Sequence, residues 1–303
     1  MIIAGIDVGS NSVRMLIAEL IDGKIANILH TGRGITRLGG DLSHTGELNP
    51  EGVEKTLQLF ETFNEAIEKY NVDKVLAVAT SAVREAKDSI AFIKRANDIG
   101  IPLQAISGDD EAYYTYLGVS SLFGGVDCII YDIGGGSSEL IFVKDSKIVK
   151  IQSIPIGVVK LADRFDFSEP LDGEALELCE EYIRSNFQIA FNEGTFGIET
   201  IIGTAGSVTS VAAIDLKMDK YDPTIINGYT LDWETLDRIE AQLSSMNAEA
   251  RLSIVGVERG REDLLIPGIM IIKGIMAHAG VKRSSISDYG LREGLIISAG
   301  RGL

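Results

Sequence analysis

Apolar residues fill positions 2–8 and 13–20, with a short polar, glycine-containing break between them. That pattern predicts two paired strands, and Asp22-Gly23 marks a turn into a third. From 51 to 70 the period lengthens. Val53, Leu57, Phe60, Ile67 and Tyr70 share one face and Glu and Lys the other, which predicts an amphipathic helix. Asn49 before Pro50 suits its cap and first turn. Residues 74–79 read as a short apolar strand, 88–99 as a helix, 101–106 as a strand and 109–122 as a helix that stops before Gly124-Gly125. A hairpin followed by alternating helices and strands is the order of an α/β layer.

A second run starts at Asp127. Strands are expected at 127–133, 138–144 and 147–153, helices at 156–165 and 172–191, and a strand at 199–203 that leads into a further helix. Helices at 232–245 and 260–279, a short segment near 285–288 and a last helix at about 290–300 complete the pattern. The same hairpin opens both runs. This predicts two similarly built domains, 1–124 and 125–288, with the segment from about 289 to 303 returning to complete the first.

The charge balance narrows the class of partner. There are 28 basic and 44 acidic residues, a net charge of −16. Such a surface repels nucleic acid and anionic membranes, so neither is expected as a partner. A polyanionic ligand needs the basic residues gathered at one place. Cys128 and Cys179 both sit in apolar patterns and read as reduced core thiols. No apolar run approaches the ~18 residues of a membrane span, and the opening Met1-Ile2-Ile3-Ala4 carries no basic leader. A soluble, cytoplasmic protein is expected.

The chemistry is carried by a repeat. Ile6-Asp7-Val8-Gly9-Ser10-Asn11-Ser12-Val13-Arg14 returns as Tyr131-Asp132-Ile133-Gly134-Gly135-Gly136-Ser137-Ser138-Glu139. Asp falls on Asp, Gly9 on Gly134, Ser12 on Ser137 and Arg14 on Glu139. A turn of Gly and Ser lets backbone N–H groups point at an anion, and Ser10, Ser12, Ser137 and Ser138 add hydroxyl donors. Asp7 and Asp132, at strand ends, are hard oxygen ligands suited to Mg2+. One such turn alone reads as a hairpin shaped by glycine; two copies favour phosphate binding. A third glycine turn, Gly203-Thr204-Ala205-Gly206-Ser207, joins a strand to a helix and offers another anion site.

Five stretches in order give a specific resemblance: Asp-x-Gly-Ser-Asn-Ser-x-Arg at 7–14, Ala-Thr-Ser-Ala-Val-Arg-Glu-Ala at 79–86, Ile-Ser-Gly-x-x-Glu-Ala at 106–112, Asp-Ile-Gly-Gly-Gly-Ser-Ser-Glu at 132–139 and Asp-Tyr-Gly-Leu-Arg-Glu-Gly at 288–294. Together they resemble the exopolyphosphatase / guanosine pentaphosphate phosphohydrolase (Ppx/GppA) family, in its short two-domain form. The resemblance implies two actin-like (ribonuclease-H-fold) α/β domains with a phosphate-binding cleft between them. It implies Mg2+, or alternatively Mn2+, as cofactor, and polyphosphate or guanosine pentaphosphate/tetraphosphate as ligand. Glu111 matches the family's catalytic glutamate, which orients and deprotonates the attacking water. Asp132 and Glu139 match its metal-associated acids, with Asp7 their counterpart in the first hairpin. Arg84 matches its arginine after Ala-Thr-Ser-Ala-Val, placed to clamp the transferred phosphoryl group. Gly9, Ser10, Asn11, Ser12, Arg14, Gly134, Gly135, Gly136, Ser137, Ser138, Gly203, Gly206 and Ser207 would then hold phosphate.

The chain departs from the family at two positions. Tyr113 stands where the family commonly has Arg, and Lys160 where it often has Arg; the latter keeps the charge but loses the planar fork. Arg33, Arg37, Arg259, Arg261 and Arg292 are further cations available to line a cleft. On the residues alone, Arg84 reads as a surface partner of Glu85 or Asp88, and Trp233, next to Asp232, as packing. The expected activity is Mg2+-dependent release of a terminal phosphate by water. The alternatives are a non-catalytic guanosine tetra/pentaphosphate sensor and an ATP-dependent phosphotransferase of the same superfold. A homodimer is a possible assembly.

Overall fold

A computed structural model describes residues 1–40, 42–170 and 173–300. Residue 172, where the helix expected at 172–191 begins, and residues 301–303 of the closing segment lie outside the described residues. The chain divides into two compact units. One is Met1–Leu122 with the segment from Tyr289 on; the other is Phe123–Asp288.

In the first unit, β1 (Ile2–Val8), β2 (Ser12–Ile21) and β3 (Lys24–Ile35) form an antiparallel meander. After α1 (Leu42–Thr45) and α2 (Pro50–Lys69), β4 (Lys74–Ala79) lies parallel to β1. Then come α3 (Ser81–Glu85), α4 (Ser89–Asp98), β5 (Leu103–Ala105) and α5 (Gly108–Leu122). The sheet order is β3-β2-β1-β4-β5. Asn49 caps α2 by accepting from Gly52 N at 2.8 Å, with Pro50 in the first turn, as the sequence predicts. The face of α2 carrying Val53, Leu57 and Phe60 packs into a core with Ile6, Val13 and Met15. The other sheet face packs Ile3, Leu16 and Leu20 against Ile296 of the closing helix, Leu291–Gly300.

The second unit repeats the plan. β6 (Cys128–Ile133), β7 (Ser138–Lys144) and β8 (Lys147–Ile154) are an antiparallel meander. After α6 (Val158–Phe165) and α7 (Gly173–Ala190), β9 (Ile201–Thr204) runs parallel to β6. α8 (Ala205–Asp215), α9 (Pro223–Ile226), β10 (Thr230–Asp232), α10 (Trp233–Ser244), α11 (Ala248–Arg251), α12 (Leu265–Ala279) and β11 (Arg283–Ile286) follow, and the closing helix is α13. The order is β8-β7-β6-β9-β11-β10. It matches the first sheet strand for strand, with β10 added at the edge. Each unit is thus an actin-like (ribonuclease-H-fold) α/β domain, as expected.

Two departures from the predicted elements bear on function. Between the strand expected at 74–79 and the helix expected at 88–99, Ser81–Glu85 forms the single-turn helix α3, which carries Arg84. The short segment expected near 285–288 overlaps a strand: β11 lies between β9 and β10 and includes residues 285 and 286. Cys128 and Cys179 are free and buried, and burial pushes both thiols up, to about 11 and about 12. Thiols held so far above neutral pH are packing groups rather than nucleophiles.

Candidate active site

The first hairpin turn is wrapped by the chain that follows β3. Gly9 N donates to Ser12 O at 3.0 Å and closes the turn. The turn's carbonyls are taken from one side: Ser10 O accepts from Gly39 N at 2.8 Å, and Asn11 O accepts from Thr36 N and Arg37 N, both at 3.0 Å. A trans peptide sets its N–H opposite its C=O, so the amides of Asn11 and Ser12 turn away from that segment. A Cβ on Gly39 would lie 2.8 Å from Ser10 Cβ, so only glycine fits there without displacing the turn. Ser10 and Asn11 are buried. Asn11 Oδ1 and Nδ2 and Thr36 Oγ1 are buried with no hydrogen-bond partner among the described residues. A buried polar group left so costs about 1–3 kcal/mol; a ligand's oxygens would offset it for the two donors, Asn11 Nδ2 and Thr36 Oγ1.

From this turn a line of contacts leads to the glutamate. Ser10 Oγ lies 3.1 Å from Ser81 Oγ at the start of α3. From the end of α3, Arg84 Nη1 donates to the Ile106 carbonyl at 2.8 Å and to Glu111 Oε2 at 3.2 Å. Glu111 is buried in the first turn of α5. That turn is fixed by Ser107, whose Oγ donates to Asp110 Oδ2 at 2.7 Å and accepts from Asp110 N at 3.1 Å. The three neighbouring acids therefore separate by environment. Asp110 is spent on the helix start, Asp109 is exposed, and Glu111 points inward onto a guanidinium. The arginine pairs with Glu111 rather than with Glu85 or Asp88; Asp88 instead accepts from Leu48 N.

The second hairpin is built the same way. Gly134 N donates to Ser137 O at 2.9 Å. Gly134 O accepts from Val158 N at 3.0 Å, and Gly135 O accepts from Val159 N at 2.8 Å and Lys160 N at 3.2 Å. The N-terminus of α6 thus holds the turn's carbonyls, and the amides of Gly135 and Gly136 face the other way. Gly157 permits this approach: a Cβ there would fall 2.6 Å from Gly136 N and into the Gly135 carbonyl. Ser138 Oγ donates to Ile156 O at 2.7 Å, whereas buried Ser137 Oγ has no partner among the described residues.

Register decides which side chains meet. Asp132 pairs directly with Glu139, and Asp7 directly with Arg14. Directly opposed antiparallel residues project from one face of the sheet, with Cβ atoms roughly 5 Å apart. The second hairpin therefore presents two carboxylates together and the first an acid beside an arginine. Glu139 is fully buried and its Oε1 accepts from Ser153 Oγ at 2.8 Å; Asp132 is 8% exposed. Among the described residues no group of three or more His, Cys, Asp or Glu forms a cage. The Asp132–Glu139 pair still suits Mg2+, which keeps waters and takes one or two carboxylates together with substrate phosphates.

In the third turn, Gly203 lies against the Tyr131 ring, which a Cβ would strike. Ser207 Oγ donates to Ile133 O at 3.4 Å, so this turn is anchored to the second hairpin. Ala205 has φ 71°, left-handed backbone that a non-glycine residue adopts at a cost. Other cations have structural partners: Arg261 with Glu258 at 3.1 Å and Arg259 with Glu249 at 3.7 Å. Trp233 is flanked by Lys282 and Lys273 at 4.6 and 5.4 Å from the ring and is partly buried against the core, as packing requires. Two residues that support these hairpins escape sequence reasoning. Thr36 is marked by nothing in its neighbours, and Ser153 is one polar residue in an alternating strand.

Exopolyphosphatase 2 of Mycobacterium tuberculosis is 26% identical over 98% of both chains. The bifunctional 3-dehydroquinate synthase/phosphatase of Fusobacterium nucleatum is 30% identical over 91% of this chain, which spans only 43% of that protein. The crystal structure of the Aquifex aeolicus member of the Ppx/GppA family superposes with a TM-score of 0.84 at 30% identity, covering 100% of this chain and 98% of that one. No helix among the described residues is long and apolar enough to cross a membrane. The model of the Ppx/GppA phosphatase family matches residues 16–301, nearly the whole sequence, and the chain belongs to that family.

Proposed function

We propose that this protein hydrolyses terminal phosphoanhydride bonds, releasing orthophosphate from inorganic polyphosphate, guanosine pentaphosphate or both. The observation that carries the reading is the buried Glu111 carboxylate held by Arg84. A carboxylate fixed in this way can orient a water in line with the leaving oxygen and take its proton. The remaining N–H groups of Arg84 are available to the phosphoryl oxygens.

In the first unit phosphate oxygens would be met by Asn11, Ser12 and Arg14; in the second, by the amides of Gly135 and Gly136 and by Ser137 Oγ. These groups are preorganised, because Gly39, Thr36 and the N-terminus of α6 already occupy the turns' carbonyls. Asp132 and Glu139 would hold Mg2+ or Mn2+, with Asp7 the acid of the other hairpin; a bound divalent ion offsets charge on the bridging and leaving oxygens. The family and its exopolyphosphatase-named relative support the phosphatase class. We place the work in the cytoplasm, with no nucleic-acid or membrane partner, and a homodimer as the candidate assembly.

Turnover in 18O-labelled water tests the reaction type. Label in the orthophosphate released from polyphosphate or guanosine pentaphosphate is the expected result. Donor consumption that depends on an added acceptor, with the phosphoryl group recovered on that acceptor and no labelled orthophosphate, would assign the chain to phosphotransfer instead.

A further inference from the structure

The two units share a plan, and strand register aligns them residue by residue. Asp7 lies beside Val78 of β4, and Asp132 lies beside Thr204 of β9. With Asp7 matched to Asp132, Ser81 in the first turn of α3 falls on Ser207 in the first turn of α8, and Ser10 falls on Gly135. Both serines turn toward their hairpin. Ser207 Oγ donates to a backbone atom, the Ile133 carbonyl, at 3.4 Å; Gly135 has no side chain to offer it. Ser81 Oγ instead meets Ser10 Oγ at 3.1 Å, and either hydroxyl can donate to the other. Position 84 falls on Ser210, so α8 carries no arginine there. The hydroxyl pair and the arginine thus occur together, in the half whose helix reaches Glu111.

The link is short and enclosed. Ser10 and Ser81 are 4% and 3% exposed. Gly39, whose amide holds the Ser10 carbonyl, packs on the same helix: a Cβ there would lie 3.2 Å from Ala82 Cβ. Thr80 N donates to the Val8 carbonyl at 3.1 Å and ties the entry to α3 to the end of β1. Arg84 N donates to Thr80 O at 3.0 Å, one turn later, and Arg84 Nη1 reaches Glu111 Oε2 at 3.2 Å. One helical turn therefore separates the hairpin contact from the guanidinium.

We infer that Ser81 is a positioning residue: its bond to Ser10 sets the first hairpin's turn against α3, so that a phosphate chain held by that turn is aligned with Arg84 and Glu111. The inference rests on the proposed phosphate chemistry of the first hairpin. It assigns the buried Ser10 hydroxyl to this link rather than to the substrate.

The test is steady-state orthophosphate release, with Mg2+, by wild type, Ser10→Ala, Ser81→Ala and the double variant. The substrate is whichever of long polyphosphate and guanosine pentaphosphate the wild type turns over. All four proteins are assayed well below their melting temperatures, checked by circular dichroism, so that lost stability does not enter the rate. Losing the bond should lower kcat by about three- to tenfold in S10A and in S81A, with KM within about threefold of wild type. The double variant should match the single ones, because the same bond is lost once. Wild-type kcat in S81A would overturn the inference. Losses that multiply in the double variant would overturn it too, by giving Ser81 a role apart from Ser10. So would a rise in KM as large as the fall in kcat, since the turn would then have lost its grip rather than its alignment. Release by the wild type with unaltered variants removes this inference alone. No release by the wild type from either substrate removes the hydrolysis proposal and this inference with it.

Discussion

Arg84 Nη1 bonds at once to the Ile106 carbonyl and to the Glu111 carboxylate, at 2.8 and 3.2 Å. One nitrogen therefore ties the helix that follows β4 to the loop and helix that follow β5. The orientation of Glu111 depends on a residue far away in sequence. Arg84→Ala should lower kcat for phosphate release by about tenfold or more, part of the roughly 100-fold or more that a positioned general base supplies. Arg84→Lys should fall between, since it keeps charge but not the fork. A double-mutant cycle with Glu111→Gln checks the coupling: the two losses should be far from additive, and additive losses would separate the residues.

Gly157→Ala should distort the second hairpin. Its methyl group would sit against Gly136 N and the Gly135 carbonyl, displacing the turn from the α6 amides that hold it. Overpacking of this kind costs about 1–3 kcal/mol. Urea unfolding should show a lowered midpoint, and phosphate affinity should fall with it. A wild-type midpoint and affinity together would mean that the turn tolerates a side chain.

Ser153 Oγ donates to Glu139 Oε1 at 2.8 Å, which orients that carboxylate from the neighbouring strand. Supporting bonds behind metal ligands commonly set affinity by about tenfold. Ser153→Ala should therefore weaken Mn2+ binding, read by electron paramagnetic resonance, and Ser153→Thr should restore much of it. Unchanged Mn2+ binding in S153A would detach Glu139 from the cation.

His278 gives a pH dependence apart from the site. Its ring stacks 5.6 Å from Phe191, and Nε2 lies 3.1 Å from the Arg184 carbonyl. Burial holds the imidazole below its ordinary 6.5 against the opposing pull of that hydrogen bond. As pH falls, the unfolded chain takes the proton first. This contribution to stability is therefore complete above about 6.5 and is lost as pH drops through the folded value. Tm should decline between pH 7.5 and 5.5, and His278→Gln should flatten that decline. An equal slope in both proteins would assign the loss to other groups.

Much of this was legible in the sequence for definite reasons. The paired Asp-x-Gly turns announce themselves by repetition, and their seven-residue Asp-to-Glu or Asp-to-Arg spacing matches the observed cross-strand partners. Asn49-Pro50 fixes the start of α2 by local chemistry alone. Long-range contacts were not legible. Nothing near Arg84 points to Glu111, and its sequence neighbours Glu85 and Asp88 offered a simpler pairing. Thr36 becomes a buried, unbonded hydroxyl only because the chain folds back onto the Asn11 carbonyl. Ser153 matters only through strand register opposite Glu139. The short helix α3 has too few residues to show a period.

In the proposed reaction Glu111 orients and deprotonates the attacking water. The most direct test of that role is the rate of orthophosphate release, with Mg2+, from polyphosphate and from guanosine pentaphosphate by wild type and Glu111→Gln. The amide keeps the shape and a hydrogen-bond acceptor but cannot take a proton. Measurable turnover of at least one substrate by wild type is the expected result. A fall in kcat of about 100-fold or more is expected in E111Q, with ligand binding retained. Wild-type-like turnover by E111Q would contradict that role.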